Sequence, residues 1–198
     1  MDALRGVSGN SPKPVPVELR PLELEDAAAI VHWREDPAVE RFLNPHDRSL
    51  EMVRELIKRA QPADPWTLRG IWLEGRLIGY CSIDDLDTMI GKAQLGIIIG
   101  EPDCWGRGIG KHVMALLLAH CFEKLKLHRA LAIVARGNER SSGLFESLGF
   151  VHEGTLREAT LVGNVRTDLL CYSLLAHEYE ANRTPRGWLR LPPSNEER

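Results

Sequence analysis

The chain has few cysteines: four in 198 residues, Cys81, Cys104, Cys121 and Cys171, set far apart with no C-x-x-C pair. That spacing speaks against a disulfide framework and a cysteine metal site, and leaves reduced thiols in the cytoplasm as the expectation. His32, His112, His120 and His128 lack H-E-x-x-H spacing, so no metal is expected. Positive charge is not in excess either. Against 28 Asp and Glu stand 25 Lys and Arg, and a formal net charge of −3 offers no general attraction to nucleic acid or an anionic membrane. No apolar run approaches the length of a membrane span, the N-terminus has no apolar signal-like stretch, and no internal repeat is seen. At 43% hydrophobic and 27% charged, the composition is that of one globular domain large enough to bury a core.

Residues 1–16 are polar and rich in Gly, Ser and Pro, which reads as a flexible leader; 181–198 reads as a tail, and 17–180 as the domain between. Val17 to Arg20 is a first strand stopped by Pro21. From Leu24, the positions Ala27, Ile30, Val31 and Arg34 fall at helical spacing, and Pro37 restarts a short helix through Val39 and Phe42. Ser49 caps an amphipathic helix carrying Met52, Val53, Leu56 and Ile57, which Pro62 and Pro65 end. WTLRGIWL and LIGYCSI flank Glu74-Gly75-Arg76 as a hairpin, and the strand AQLGIIIG follows a loop. After a long helix come the strand RALAIVA, a short helix from Asn138 to Leu148 stopped by Gly149, and two strands joined through Val162-Gly163-Asn164. Hairpins imply antiparallel pairing, while strand, long helix and strand from Ala93 to Ala135 imply a right-handed parallel crossover. The fold class is α/β of mixed α+β character: a single domain with a mixed central sheet.

The stretch from Ala93 to Lys111 organises the chain. A strand ends at Gly100, turns through Pro102, and meets Gly106, Gly108 and Gly110 alternating with Trp105, Arg107 and Ile109 just before the long helix. Glycines at a helix start let phosphate oxygens approach unpaired amides and the positive end of the helix dipole, so this turn is expected to hold a diphosphate. It is not a Walker loop: His112 follows Gly110-Lys111 where Ser or Thr is required, and Trp105 stands where the first Gly should be. Nor does Gly106-x-Gly108-x-Gly110 have dinucleotide spacing, and no acidic residue ends the next strand.

Ile98 to Lys111, Asn138 to Phe150 and the strand between them resemble the GCN5-related N-acetyltransferase (GNAT) superfamily. The turn W-G-R-G-I-G, with Trp105 where Gln or Arg is usual, together with L-R-P-L-E-L-E-D and H-W-R-E-D-P-A-V-E-R-F-L, is similar to the RimJ/RimL-type branch that acetylates ribosomal-protein N-termini. Ala93 to Ile99, with His177-Glu178-Tyr179 and Thr184-Pro185, also resembles bacterial spermidine N-acetyltransferases. The resemblance covers about Val17 to Tyr179. It implies a mostly antiparallel sheet splayed between the fourth and fifth strands and flanked by helices, and an acetyl-CoA-dependent N-acetyltransferase. The acceptor it implies is a primary amine, either a protein N-terminus or a small amine such as a polyamine or aminoglycoside. Whether the chain works as a homodimer is left open.

On that resemblance the arm of CoA pairs with backbone near Ile98, Ile99 and Gly100, and the diphosphate meets Arg107, Gly108, Ile109, Gly110 and Lys111. Asn138, Ser141 and Phe145 face the cofactor. A Tyr commonly protonates the departing thiolate at the position of Phe145, which has no proton to give, so Ser141 or a water is expected to stabilise the thiolate. Gln94 stands where relatives often carry Glu, which leaves the base among Glu101, Asp84, Asp85, Glu158 and Asp168. Trp33, Phe42 and Asp84 are the candidate acceptor-binding residues, with Glu35, Asp36 and Glu40 as an acidic cluster that is either attractive to a cationic acceptor or simply a solvated helix face. The absent Tyr and the Gln at 94 also admit a catalytically idle acyl-CoA sensor. An α-amine, with its pKa near 7.7–8.0, needs a weaker base than a side-chain-type amine near 10.4, which favours peptide N-termini over polyamines.

Overall fold

The computed structural model describes residues 16–43, 49–60 and 66–182; the expected leader through residue 15, the tail from residue 183, and Pro62 and Pro65 lie outside them. Among the described residues the strands are β1 (Val17–Pro21), β2 (Leu68–Leu73), β3 (Arg76–Asp87), β4 (Lys92–Ile99), β5 (Arg129–Ala135), β6 (Val151–Val162) and β7 (Val165–Leu175). They form one sheet in the order β1-β2-β3-β4-β5-β7-β6. Every neighbouring pair is antiparallel except β4–β5, the crossover expected from the strand–helix–strand unit. The helices are α1 (Ala27–His32), α2 (Pro37–Glu40), α3 (Leu50–Ala60), α4 (Ile109–Ala119), α5 (Glu139–Ser147) and α6 (Ala176–Asn182). None of the described helices is long and apolar enough to cross a membrane.

Local chemistry sets these boundaries. Ser49 Oγ accepts the Met52 amide at 3.1 Å and starts α3, and Asp36 Oδ1 accepts the Ala38 amide at 2.8 Å and starts α2. The single helix expected from Leu24 to Arg34 is instead broken into a 3-10 turn, α1, and a second 3-10 turn at Trp33–Glu35. Pro37 explains the stop: the residue before a proline is pushed out of the helical region, and Asp36 is extended with ψ 115°. The long helix runs into one π turn at His120–Lys124, closed by Leu125 N–H to His120 O at 3.0 Å.

Two apolar clusters sandwich the sheet. One buries Val113, Met114, Leu117 and Leu118 of α4 against Ile78, Leu95 and Ala130; the other gathers Ile30, Val53, Ile57, Leu68 and Leu77 around α1 and α3. Burying each large α4 side chain contributes about 1.5–3 kcal/mol, so the cluster fixes where the start of α4 sits.

The pairing of β4 with β5 is short. Lys92, Ala93 and Gln94 face Arg129, Ala130 and Leu131, and there it stops, although β4 continues to Ile99 against β3. Beyond Gln94 the two strands part, so the splay expected between the fourth and fifth strands is present. Gly100 N–H donates to Ile78 O at 2.9 Å. Antiparallel bonding alternates, so Ile98 faces Tyr80 in a bonded pair while the main-chain groups of Ile97 and Ile99 turn into the gap.

Candidate active site

The gap opens onto a cavity of about 290 Å³, bounded by Ile97, Ile98 and Ile99 of β4, the turn from Cys104 to Lys111 apart from Arg107, and Asn138, Arg140, Ser141 and Leu144 at the start of and within α5. Ala38, Val39, Phe42 and Leu43 close it from the α2 side. Gly106 (φ 72°) and Gly108 (φ 78°) are both in the left-handed region, and among the described residues a Cβ at either would meet nothing within 4 Å. Backbone conformation, not crowding within the protein, therefore demands glycine there. Gly108 is the N-cap of α4, and the first helical bond runs from His112 N–H to Gly108 O at 3.1 Å. The amides of the preceding turn lie ahead of that ladder at the positive end of the helix. An anion fits this cradle without any further device.

The turn is braced from behind. Trp105 Nε1 donates to Ile99 O at 2.8 Å, tying the loop to the end of β4, and the Arg140 guanidinium lies over its ring at 3.6 Å. Glu101 Oε1 accepts Trp33 Nε1 at 2.9 Å, and its other oxygen accepts Arg76 Nη1 at 3.2 Å. Arg76 reaches Asp103 as well, at 2.7 Å, and that hydrogen bond holds the Asp103 carboxyl below its usual range. Burial, helped by the Asp103 charge, pushes the Cys104 thiol up, so it lines the cavity as a neutral group. Across the mouth, Asn138 Oδ1 accepts the Ser141 amide at 3.3 Å and caps α5. Ser141 is left with its hydroxyl for a ligand.

Of the cofactor-facing residues read from sequence, Ile98, Ile99, Gly108, Ile109, Gly110, Lys111, Asn138 and Ser141 are brought together in this lining. Others are placed elsewhere. Gly100 gives its amide to Ile78 and its Cα side to Trp33, whose ring a Cβ would approach to 2.0 Å. Arg107 is exposed outside the lining, with its guanidinium 4.0 Å from Cys104 Sγ. Phe145 is 3% exposed and packs edge-on to Phe150, because it lies on the inner face of α5 while Leu144 faces the cavity. Trp33 is likewise core, 3% exposed, and not a cleft wall.

A second cavity, of about 600 Å³, adjoins the first. Phe42 and Leu43 line both, and it continues past Gln94, Ile133 and Ala135 to residues 158–162, Arg166 and Leu169. Phe42 thus stands between the two spaces. Asp84 is outside this lining: it pairs with Gln94 from β3 and accepts Ser82 Oγ at 2.7 Å. Crowding desolvates its carboxyl and raises its pKa against the pull of Ser82, with Asp85 adding to the rise. Among the other acids, Glu101 is committed to Trp33 and Arg76, Asp168 pairs with Arg136 at 3.1 Å, and Glu158 lines the second cavity. The acidic cluster on the early helices is occupied structurally: Asp36 caps α2, Glu40 meets Arg34 at 3.1 Å, and Glu35 meets His32 at 3.0 Å. Among the described residues no group of three or more His, Cys, Asp or Glu is arranged to hold a metal.

Sequence reading missed Ile97, whose main chain faces the gap where Ile98 was expected, and Arg140, which sits inside the Asn138-to-Ser141 stretch. Strand alternation from Gly100 would have found the first; a cation between two residues expected at the site was the signal for the second.

The family model of the acetyltransferase (GNAT) domain matches residues 17–151. Among curated relatives, YdaF of Bacillus subtilis, provisionally named a ribosomal N-acetyltransferase, is 35% identical over 114 residues, 58% of this chain and 62% of that protein. Spermidine N(1)-acetyltransferase of Escherichia coli is 24% identical over 188 residues, 90% of this chain and 96% of the other. Among solved structures, a provisionally named acetyltransferase from T. thermophilus has TM-score 0.70 at 30% identity, covering 83% of this chain and 88% of that one. Spermidine N-acetyltransferase from Vibrio cholerae, solved with CoA and spermine, has TM-score 0.71 at 24% identity, covering 83% and 98%, a likeness of fold.

Proposed function

This chain belongs to the GNAT acetyltransferase family and is an acetyl-CoA-dependent N-acetyltransferase, and from that premise we propose that its acceptor is a primary α-amine, a peptide or protein N-terminus, received by the second cavity. The observation that carries this reading is the charge make-up of that cavity. Among the described residues its lining holds one carboxylate, Glu158, and one guanidinium, Arg166, beside the neutral Gln94. A polyamine at neutral pH brings several ammonium groups and is favoured by several carboxylates with no cation among them. A peptide N-terminus brings one amine and adjacent carbonyl oxygens, which such a pair of opposite charges suits. The provisional name of YdaF agrees with this acceptor class.

When bound, acetyl-CoA supplies the activated acyl group as a thioester. The chain's own part in the proposal is as follows. Amides at the start of α4 hold the diphosphate, with Lys111 and Arg140 adding charge. Main-chain groups of Ile97 and the amide of Ile99, whose carbonyl Trp105 occupies, align the arm as an added strand would. The Ser141 hydroxyl hydrogen-bonds to negative charge developing on sulfur, a task Phe145 has neither the chemistry nor the position to perform. Phe42 and Leu43 hold the two reactants' cavities apart from bulk water while letting them meet. A cytoplasmic setting, where free cysteines stay reduced, goes with this proposal.

The test is a thiol-release assay with acetyl-CoA and, in parallel, short peptides with free N-termini, the same peptides N-acetylated, spermidine, and an aminoglycoside. Turnover is expected with the free peptides, with a higher kcat/KM than for spermidine. A preference for spermidine would move the acceptor to the polyamine class, and release with none of these amines would leave the α-amine proposal without support.

A further inference from the structure

The sheet departs from regular pairing at one place on the wall of the second cavity. Leu156 faces Leu169 and Thr160 faces Thr167, so Arg157, Glu158 and Ala159 of β6 together oppose Asp168 alone on β7. Two extra residues are thus accommodated in a bulge. One consequence is that Glu158 and Ala159, side by side within the bulge, both line the cavity. Another is that Glu158 takes the left-handed conformation, φ 50°, unusual for a residue with a side chain.

Asp168 holds this distortion in place. Its Oδ1 accepts the Glu158 amide at 2.9 Å and its Oδ2 accepts Arg136 Nε at 3.1 Å. Its carbonyl accepts the Arg136 amide at 2.9 Å, so the end of β5 and the bulge of β6 are tied through one side chain. The hydrogen bond from the Glu158 amide, seconded by Arg136, keeps the Asp168 carboxyl below the usual range, and it is ionised at neutral pH. Strain kept by specific bonds at a cavity wall is the pattern of a residue held for a purpose.

We propose that Glu158 is the carboxylate that binds the acceptor's ammonium, and that Asp168, anchored by Arg136, is a positioning residue that presents it. This rests on the second cavity being the acceptor site. Arg166, in the same lining, then meets the carbonyl oxygen next to the amine, and the pair recognises an α-amine attached to a peptide rather than an isolated alkylamine.

The experiment uses the full chain, acetyl-CoA, and triglycine amide as the probe. Glu158→Gln is expected to lower kcat/KM for triglycine amide roughly ten- to hundredfold, the scale of a hydrogen bond to a charged group, with the KM for acetyl-CoA unchanged. Glu158→Asp recovers part of the loss. Asp168→Asn raises the KM for triglycine amide and leaves that for acetyl-CoA alone, and the double variant is no worse than Glu158→Gln by itself, because Asp168 acts through Glu158. Ile133→Trp, at an exposed cavity-lining position, should block triglycine amide by filling the cavity. If Glu158→Gln has no effect while Ile133→Trp blocks turnover, the role of Glu158 is overturned and the cavity stands. If neither changes turnover, or wild type never turns triglycine amide over, both fall.

Discussion

Replacing Gly110 by alanine sets two effects of opposite sign against each other. Gly110 is the second residue of α4, and its backbone is ordinary helix, not left-handed. A Cβ there would stand 3.5 Å from Leu144 Cδ2 and 3.9 Å from Ile97 Cδ1, normal contacts that strain nothing. Without ligand, Gly110→Ala therefore gains helix propensity, up to about 1 kcal/mol, which for a domain of this size raises Tm by roughly 2–4 °C. The same methyl, however, sits between β4 and α5 in the first cavity, beside the amides proposed to hold the diphosphate. Acetyl-CoA at a hundred times its Kd should stabilise wild type by about 2.7 kcal/mol, or roughly 5–11 °C. If the methyl weakens binding tenfold, the same concentration stabilises the variant by only about 1.4 kcal/mol. Gly108→Ala is the companion measurement: its left-handed φ of 78° makes alanine cost about 1–2 kcal/mol even without ligand, although among the described residues nothing stands within 4 Å. Differential scanning fluorimetry with and without acetyl-CoA reads all four quantities. A Gly110→Ala protein that is more stable and keeps the whole acetyl-CoA shift would refute close approach of the cofactor to this turn.

Three more outcomes are expected. Arg140→Ala should weaken acetyl-CoA binding by up to about fivefold, with a shallower salt dependence, as measured by calorimetry at two ionic strengths; an unchanged Kd and salt slope would return Arg140 to being only a partner of Trp105. Asp84→Asn should raise the urea midpoint at pH 7. The folded-state pKa of Asp84 is raised, so wild type carries a penalty above that pKa which disappears as pH falls through the unfolded value of about 3.9; the two proteins should converge below it, and a gap that persisted there would contradict the assignment. Phe42→Ala should widen the opening between the two cavities and admit water, increasing acetyl-CoA hydrolysis in the absence of amine, followed as thiol release, while lowering kcat/KM for peptide acceptors.

The fold was readable where chemistry is local. Ser49 announces its helix by a side-chain cap and Pro37 restarts another, the Glu74-Gly75 turn takes positive φ at both positions, and the apolar-rich runs at β4 and β5 are strands that bury Ala93 and Leu95, and Ala130, Ala132 and Val134, on one face. The 3-10 breaks around α1 were less visible because Ala27, Ile30 and Trp33 keep helical spacing through them. The bulge at Glu158 could not be seen at all. No Gly or Pro marks it, and it exists because Asp168, ten residues away in sequence, supplies the bond that a ladder partner would have given.

The site shows the same division between main-chain and side-chain chemistry. Glycines that must take positive φ at a helix start betray themselves in any sequence, so Gly108 and its neighbours could be placed before any coordinates. Side chains that depend on partners far along the chain could not. Trp33 has the sequence position of a cleft residue, yet it lies against Gly100 with its indole N–H on Glu101, 68 residues away. Glu101 had the look of a free base until Arg76 and Trp33 took its two oxygens. Both facts point to one function for this network: it fixes the exit of β4 against the β2–β3 hairpin, so the turn from Pro102 to Gly108 starts from a defined place. Trp105 completes the fixation by closing onto Ile99 O from the other side. A glycine-rich turn is mobile by composition, and a cradle of bare amides binds well only when its geometry is set in advance. On this account the unusual Trp at the head of the turn supplies a rigidity that its glycines lack. Trp105→Phe, which keeps a ring for Arg140 but loses the bond to Ile99, should therefore weaken acetyl-CoA binding more than it lowers Tm.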